Sequence, residues 1–535
     1  MDQNRLEPAD WPAALADTDG RQIIVAGPGT GKTEFLVRRV GRILESGVAD
    51  PTQIVVLSFS RRATSKLRDR IEAVTGATGV PVDVTTFHSL AMRLIETATG
   101  GDRPIPLTTP EQVGLVRDTL AGEDPGSWPV IYRGILESQV FSAEVADFLL
   151  RCSERLLGPE DLARRARERP DWRGLPGLYS RYLARLDDIG RTDYGVLLAR
   201  AVDWLRSETG PELISDFRYV LVDEYQDTTP AQAAMAELLA SRHGNLTVAG
   251  DPYQSIFSFR GAELRNIAQF SEGPGTRRYV LGQSFRVPAP IMESALRVVS
   301  GGQLPGSAGP VVPASHPGRA EMYVFDQETG EAEWIAHEVE HLVRVEGVSP
   351  ASIAVIVRSK RELISELSRA LDRRSLPHDP PNSRLVDHPA VRLIQDLLTV
   401  AIFDDQQARA NPLEAAAAER AMRRILLGPL IGVSVGLERT VFRDHRRRPR
   451  PWRDVVTSHL GAETGLVSLL TDAAWATEMG AADGFWALWT TLDGIARLVH
   501  DRERDEWRRA WTAFAQMLNR QAERDPGVTL ARFFE

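Results

Sequence analysis

Residues 22–37 read Gln22-Ile23-Ile24-Val25-Ala26-Gly27-Pro28-Gly29-Thr30-Gly31-Lys32-Thr33-Glu34-Phe35-Leu36-Val37. An apolar strand, Gln22–Ala26, runs into Gly27, Gly29 and Gly31 and then into a helical pattern from Glu34. Glycines let the backbone curl so that successive N–H groups and a helix N-terminus face one point, which attracts phosphate oxygens. In that context Ala26, Gly27, Pro28, Gly29, Thr30 and Gly31 form a cradle. Lys32 reaches the β- and γ-phosphates, and the Thr33 hydroxyl holds Mg²⁺. Ala26 takes the first place of the pattern, where a glycine is usual. Strand, glycine loop and helix in this order predict an α/β domain organised around a phosphate site.

A magnesium nucleotide needs acidic groups at the end of a neighbouring strand, and Tyr219-Val220-Leu221-Val222-Asp223-Glu224 supplies them. Asp223 is the expected Mg²⁺ ligand, and Glu224 is suited to orient and deprotonate an attacking water. Further strands are expected at Ile54–Ser58, Leu246–Ala249 and Ala354–Val357, each followed by a loop and a helix, which is the rhythm of a parallel sheet. Between Pro106 and Leu205 helical patterns replace strands, and from about His388 the pattern is helical to the end. The expected architecture is two α/β lobes, each with a helical insertion. Its boundaries are 1–105 and 206–280 for the first lobe, 106–205 for its insertion, 281–387 for the second lobe and 388–535 for a second insertion.

The chain has 535 residues, too many for one compact core, and its 43% apolar and 26% charged residues suit a folded multidomain protein. Cys152 is its one cysteine, which excludes an intrachain disulfide and a cysteine-rich metal cluster. No long uncharged apolar run occurs and the first residues lack a signal-peptide pattern, so the expected location is the cytoplasm, without membrane contact. A net charge of -9 means that any nucleic-acid groove must be locally basic.

The order of further motifs is specific. Asp223-Glu224-Tyr225-Gln226-Asp227-Thr228 and Val248 through Ala262, with Gly250-Asp251-Pro252-Tyr253-Gln254 at its heart, resemble motifs II and III of superfamily-one UvrD/Rep/RecB helicases. Val56 through Ala63 resembles motif Ia, Thr86-Phe87-His88-Ser89-Leu90 the next DNA-contact motif, and Leu281-Gly282-Gln283-Ser284-Phe285-Arg286 motif IV. The region Leu107–Leu205 resembles the insertion of AdnAB-type helicase–nuclease subunits. The resemblance implies two RecA-like lobes and an ATP-driven motor that moves 3′ to 5′ on single-stranded DNA and engages single-strand/duplex junctions in repair or recombination. It also implies roles by position. Gln254 couples the γ-phosphate to the DNA groove, Arg286 contacts that phosphate from the second lobe, and Phe285 stacks on adenine. Phe59, Phe87, Phe257 and Phe259 lie along the strand with Arg61, His88 and Arg260, each stacked base contributing ~1–3 kcal/mol.

Departures from the family pattern bear on function. Asp10 stands near the place of an adenine-reading glutamine, and Glu34 replaces an arginine expected after the loop. Val528 through Glu535 resembles the segment before motif V, and motifs V and VI have no counterpart, so the second lobe is expected to be incomplete. The alternative function is therefore a split-motor or non-catalytic subunit that binds ATP and single-stranded DNA and relies on a protein partner. A last pattern, His337-Glu338-Val339-Glu340-His341, fits a zinc-protease motif. Ile335, Val339 and Leu342 form the apolar stripe of this helix, however, so its histidines are expected to face solvent.

Overall fold

A computed structural model describes residues 5–6, 10–76, 81–256, 261–299, 304–309, 311–359, 363–378, 385–406, 412–461, 465–492, 495 and 505–534. The chain divides into two compact units, Met1–Glu321 and Met322–Glu535.

The first unit carries the strands β1 (Arg5–Leu6), β2 (Arg21–Ala26), β3 (Ile54–Ser58), β4 (Asp83–Thr86), β5 (Ile105–Pro106), β6 (Arg191–Thr192), β7 (Tyr219–Val222), β8 (Leu246–Gly250), β9 (Arg277–Leu281), β10 (Gln283–Pro288) and β11 (Val312–Ala314). Seven of them form a parallel sheet in the order β1-β9-β2-β8-β7-β3-β4. Successive residues of a strand point to opposite faces, and both faces are covered here, so the strands read as unbroken apolar runs. Ile23, Val25, Val55, Leu57, Val220, Val222 and Val248 pack on one side with the helices Tyr194–Arg206 and Pro230–Leu239. Ile24, Ala26, Ile54, Val56, Leu221 and Ala249 pack on the other, beneath α1 (Trp11–Ala16), α2 (Lys32–Glu45) and α3 (Arg61–Thr75). Helix α4 (Phe87–Ala98) lies on the first of these faces.

Buried Arg39 fixes α2 against the sheet. Its guanidinium donates to Thr247 Oγ1 at 2.9 Å and to the carbonyls of Asp17 and Thr18, both at 2.7 Å. Burial lowers its pKa to about 10, so it stays charged near neutrality, and three acceptors offset the cost of enclosing it.

The helical insertion enters and leaves through the short parallel pair β5 and β6, Ile105 opposite Arg191 and Pro106 opposite Thr192. Leu107, Val116, Trp128, Phe141, Leu149, Tyr179 and Tyr182 form its core. The expected exit near Leu205 falls in a helix shared by two cores. The helix Tyr194–Arg206 gives Val196 to the insertion but Leu197, Leu198, Ala201, Val202 and Leu205 to the sheet, because its two faces serve two cores.

In the second unit, the helices Glu328–Arg344 and Leu363–Arg373 pack through Ala332, Ala336, Leu367, Ala370 and Leu371. His337 and His341 lie on the exposed side of the first helix. Among the described residues no group of three or more His, Cys, Asp or Glu is placed to hold a metal. The strand expected at Ala354–Val357 is absent: the segment pairs with no strand among the described residues, and Ile356 is 92% exposed. A strand exists only through a neighbour that takes its N–H and C=O groups. The remaining helices share a large core around Trp452, Trp475, Phe485, Trp511 and Phe514. Among the described residues no helix is long and apolar enough to cross a membrane.

Candidate active site

The carboxyl ends of β2, β8, β7 and β9 open on one cleft of about 700 Å³, a size suited to a nucleotide. Its wall contains Gly27, Gly29, Gly31, Lys32, Thr33, Glu34, Glu224, Gln254, Phe285 and Arg286, with Trp11, Arg38 and Arg70. Ligands of open parallel sheets sit at this end of the strands. Gly29 and Gly31 have φ of 72° and 94°, a left-handed backbone that brings the loop round into α2.

Asp223 and Glu224 follow β7. The Thr33 hydroxyl donates to Asp223 Oδ2 at 3.0 Å, so the two expected Mg²⁺ ligands converge, and both are hard oxygen donors. Burial and then the charge of Glu224 raise the Asp223 carboxyl to about 6. Glu224 adopts φ 53° and ψ 45°, a conformation a non-glycine residue holds only under constraint and one often found at functional sites. Lys32 Nζ stands 3.8 Å from Glu224 Oε2. Burial, then the Glu224 charge, also lifts Asp227 to about 6, and burial raises Asp251.

Strand β10 lies across the glycine loop. The Phe285 N–H donates to the Gly29 carbonyl at 2.8 Å, and Ser284 Oγ to the Pro28 carbonyl at 2.9 Å. A Cβ on Gly29 would meet Arg286 Cβ and Ser284 Oγ at 2.8 Å, so that glycine also permits the close approach. Phe285 and Arg286 were expected on the second lobe, but they belong to the first unit, because only Gly282 separates β9 from β10. Phe285 remains 54% exposed beside the Trp11 ring, with 6.4 Å between centroids.

Glu34 has taken up two arginines, Arg38 at 2.6 Å and Arg70 at 2.5 Å. Burial pushes its carboxyl up, and the two hydrogen bonds outweigh that and hold it below the usual range. Arg38 also lies over Trp11, 5.6 Å from the ring centroid. The sequence reading missed Trp11, Arg38 and Arg70. The signal for Arg38 was its place four residues after Glu34, on the same helix face.

The expected strand-contact residues fare unequally. Arg61 is exposed and Phe59 partly so at the end of β3. Phe87, expected to stack on DNA, is instead a core residue at 2% exposure, since the first turn of α4 points its ring under the sheet. His88 packs edge-on against Tyr194 at 5.2 Å, and burial lowers its pKa to about 4, so it is neutral near pH 7 and contributes no cation. Phe257, Phe259 and Arg260 lie outside the described residues.

A parallel α/β sheet that presents a glycine loop, its lysine and an acidic strand end in one cleft has the build of the glycine-loop nucleotide-binding class. The model of the UvrD/REP helicase N-terminal domain matches residues 6–274, half of the chain, and the chain belongs to that helicase family. It is 26% identical over 377 residues to the ATP-dependent DNA helicase PcrA of Staphylococcus epidermidis, covering 69% of this chain and 49% of that protein. It is 27% identical over 368 residues to a probable DNA helicase II homolog of Rickettsia felis, covering 66% of this chain and 54% of that one. The chain thus spans about half the length of the curated relatives it matches.

Proposed function

We propose that this chain carries the nucleotide site and part of the strand-binding surface of an Mg²⁺- and ATP-dependent DNA helicase that moves 3′ to 5′ on single-stranded DNA in repair or recombination. The carrying observation is the convergence of Lys32, Thr33, Asp223 and Glu224 in the cleft at the carboxyl end of the sheet. The polarity and pathway follow from the family resemblance.

In this reading the loop N–H groups and Lys32 bind the phosphates, and Thr33 and Asp223 hold the metal. When bound, Mg²⁺ neutralises phosphate charge. Glu224 accepts the proton of the attacking water, Gln254 faces the γ-phosphate, Arg286 stabilises charge that develops there, and Phe285 stacks on the base. Phe59 and Arg61 belong to the strand-binding surface, as do Phe257, Phe259 and Arg260 by sequence position.

In this reading the first lobe comprises 1–105 and 206–280, its insertion 106–205, the second lobe 281–387 and a second insertion 388–535, with the helix Tyr194–Arg206 shared between the insertion and the first lobe. A second reading, a motor subunit whose second lobe is completed by a protein partner, draws support from the exposure of Met322, Val324 and Ile356.

Lys32→Ala removes the loop cation that neutralises the β- and γ-phosphates. Steady-state phosphate release with single-stranded DNA should fall at least ~10²-fold, while the fold, read by circular dichroism, persists. Turnover equal to that of the unaltered chain would reject the site.

A further inference from the structure

Gln226 does not itself line the cleft, yet it touches Glu224 of the cleft wall and joins the two loops that carry the chemistry. It is 1% exposed. Its Nε2 donates to Glu224 Oε2 at 2.9 Å, and its Oε1 accepts the Asp251 N–H at 3.0 Å. A backbone N–H only donates and a carboxylate only accepts, so the amide has one orientation that satisfies both. Asp251 is itself 1% exposed, and its Oδ2 accepts from Gln254 Nε2 at 2.9 Å. The hydrogen bonds run unbroken from Glu224 through Gln226 and Asp251 to Gln254.

The slot is tight. A Cβ on Gly250 would come within 2.8 Å of Gln226 Oε1. Ser255 Oγ donates to the Gln226 carbonyl at 3.3 Å, so the residue after Gln254 is tied to the same side. Buried hydrogen bonds are costly to leave unmade, so separating the two loops carries an energetic cost.

We propose that Gln226 is a positioning residue that couples the base Glu224 to Gln254 and so makes nucleotide binding and strand binding interdependent. This rests on the reading of the cleft as an ATPase site. Glu224 Oε2 is held by Gln226, with Lys32 Nζ farther off at 3.8 Å, which leaves Oε1 to receive a water proton. As Lys32 turns to a phosphate, the neutral amide keeps the carboxylate aimed without adding charge. On the other side Gln254 lines the cleft, and Ser255 is tied to Gln226, shortly before the sequence positions Phe257, Phe259 and Arg260 proposed above to bind the strand.

The test uses the full chain and needs no turnover. The affinity for a labelled oligothymidylate is measured by anisotropy with and without Mg²⁺ and a non-hydrolysable ATP analogue, and the ratio of the two dissociation constants is the coupling. The unaltered chain should show a ratio on the order of 5 or more. In Gln226→Met, similar in size but without the two hydrogen bonds, the separate affinities should stay within about threefold and the ratio should fall to one. Gln254→Met should give the same loss and the double variant no more, as expected for members of one network. Should Gln226→Met fail to fold, Gln226→Glu, which sets an acceptor against an acceptor in the same space, should lose the coupling likewise. A folded Gln226 variant with an unchanged ratio, or two losses that multiply, overturns the relay alone. An unaltered chain that binds the analogue but shows no coupling also overturns the relay alone, and one that binds no analogue overturns the ATPase reading and the relay with it.

Discussion

Asp404 shows how a single residue's ionisation depends on what encloses it. The helix Trp452–Leu460 begins at Pro451, whose side chain offers no cap, and Asp404 from the helix Pro389–Gln406 accepts the N–H groups of Trp452 and Arg453, both at 2.7 Å. Burial nevertheless raises its carboxyl from 3.8 to about 6, because the enclosure costs more than the two backbone hydrogen bonds return. An acid whose folded pKa is raised binds its proton more tightly when folded, so folding loses stability as pH climbs from about 4 through about 6. The loss is complete above about 7 and amounts to ~3 kcal/mol at most. Asp404→Asn has no such proton. The melting temperature of the unaltered chain minus that of the variant should therefore fall between pH 4 and pH 7 and level off beyond. A difference that rises over that interval contradicts the buried environment. Phe87 and His88 teach the same lesson. Their motif was legible in the sequence, but which way the first turn of α4 aims each ring was not.

Strands and the glycine loop were the most readable elements. Ile54–Ser58 and Tyr219–Val222 were placed to the residue, because strands covered on both faces spell continuous apolar runs. Strands β4 and β9 escaped notice. Asp83-Val84-Thr85-Thr86 and Arg277-Arg278-Tyr279-Val280-Leu281 mix polar and apolar residues, as befits flanking positions in the sheet. The glycine loop was read for phosphate, and the structure adds that β10 rests on it. Gly29→Ala should therefore do two harmful things: force a φ of 72° on a residue with a Cβ and press that Cβ to 2.8 Å from Arg286 Cβ and Ser284 Oγ. Each effect costs ~1–3 kcal/mol. Chemical denaturation should show a loss of that order, accompanied by weaker nucleotide binding. A neutral result would mean that β10 does not rest on the loop in solution.

At the scale of the molecule, the second unit exposes apolar side chains on two extended segments: Met322 at 88%, Val324 at 85% and Ile356 at 92%. Uncovered apolar surface favours association. Replacing both Val324 and Ile356 by Lys should reduce self-association in sedimentation velocity and leave stability within ~0.5 kcal/mol, since neither side chain is buried. A marked fall in melting temperature would show that these side chains pack against something in the folded chain.

The sequence by itself determined the parallel α/β class, the phosphate loop, the acidic strand end and the helicase family. Those features are local: spacing, periodicity and residue type along a few consecutive positions carry them. Only the tertiary structure decided that Phe285 and Arg286 share a unit with the loop, that Phe87 is core, that Ala354–Val357 pairs with no described strand, and that Gln226 bridges Glu224 and Asp251. Each of these depends on which distant segments meet. A hydrogen bond or a buried ring is a relation between residues far apart in the chain, and the order of residues along it does not state that relation.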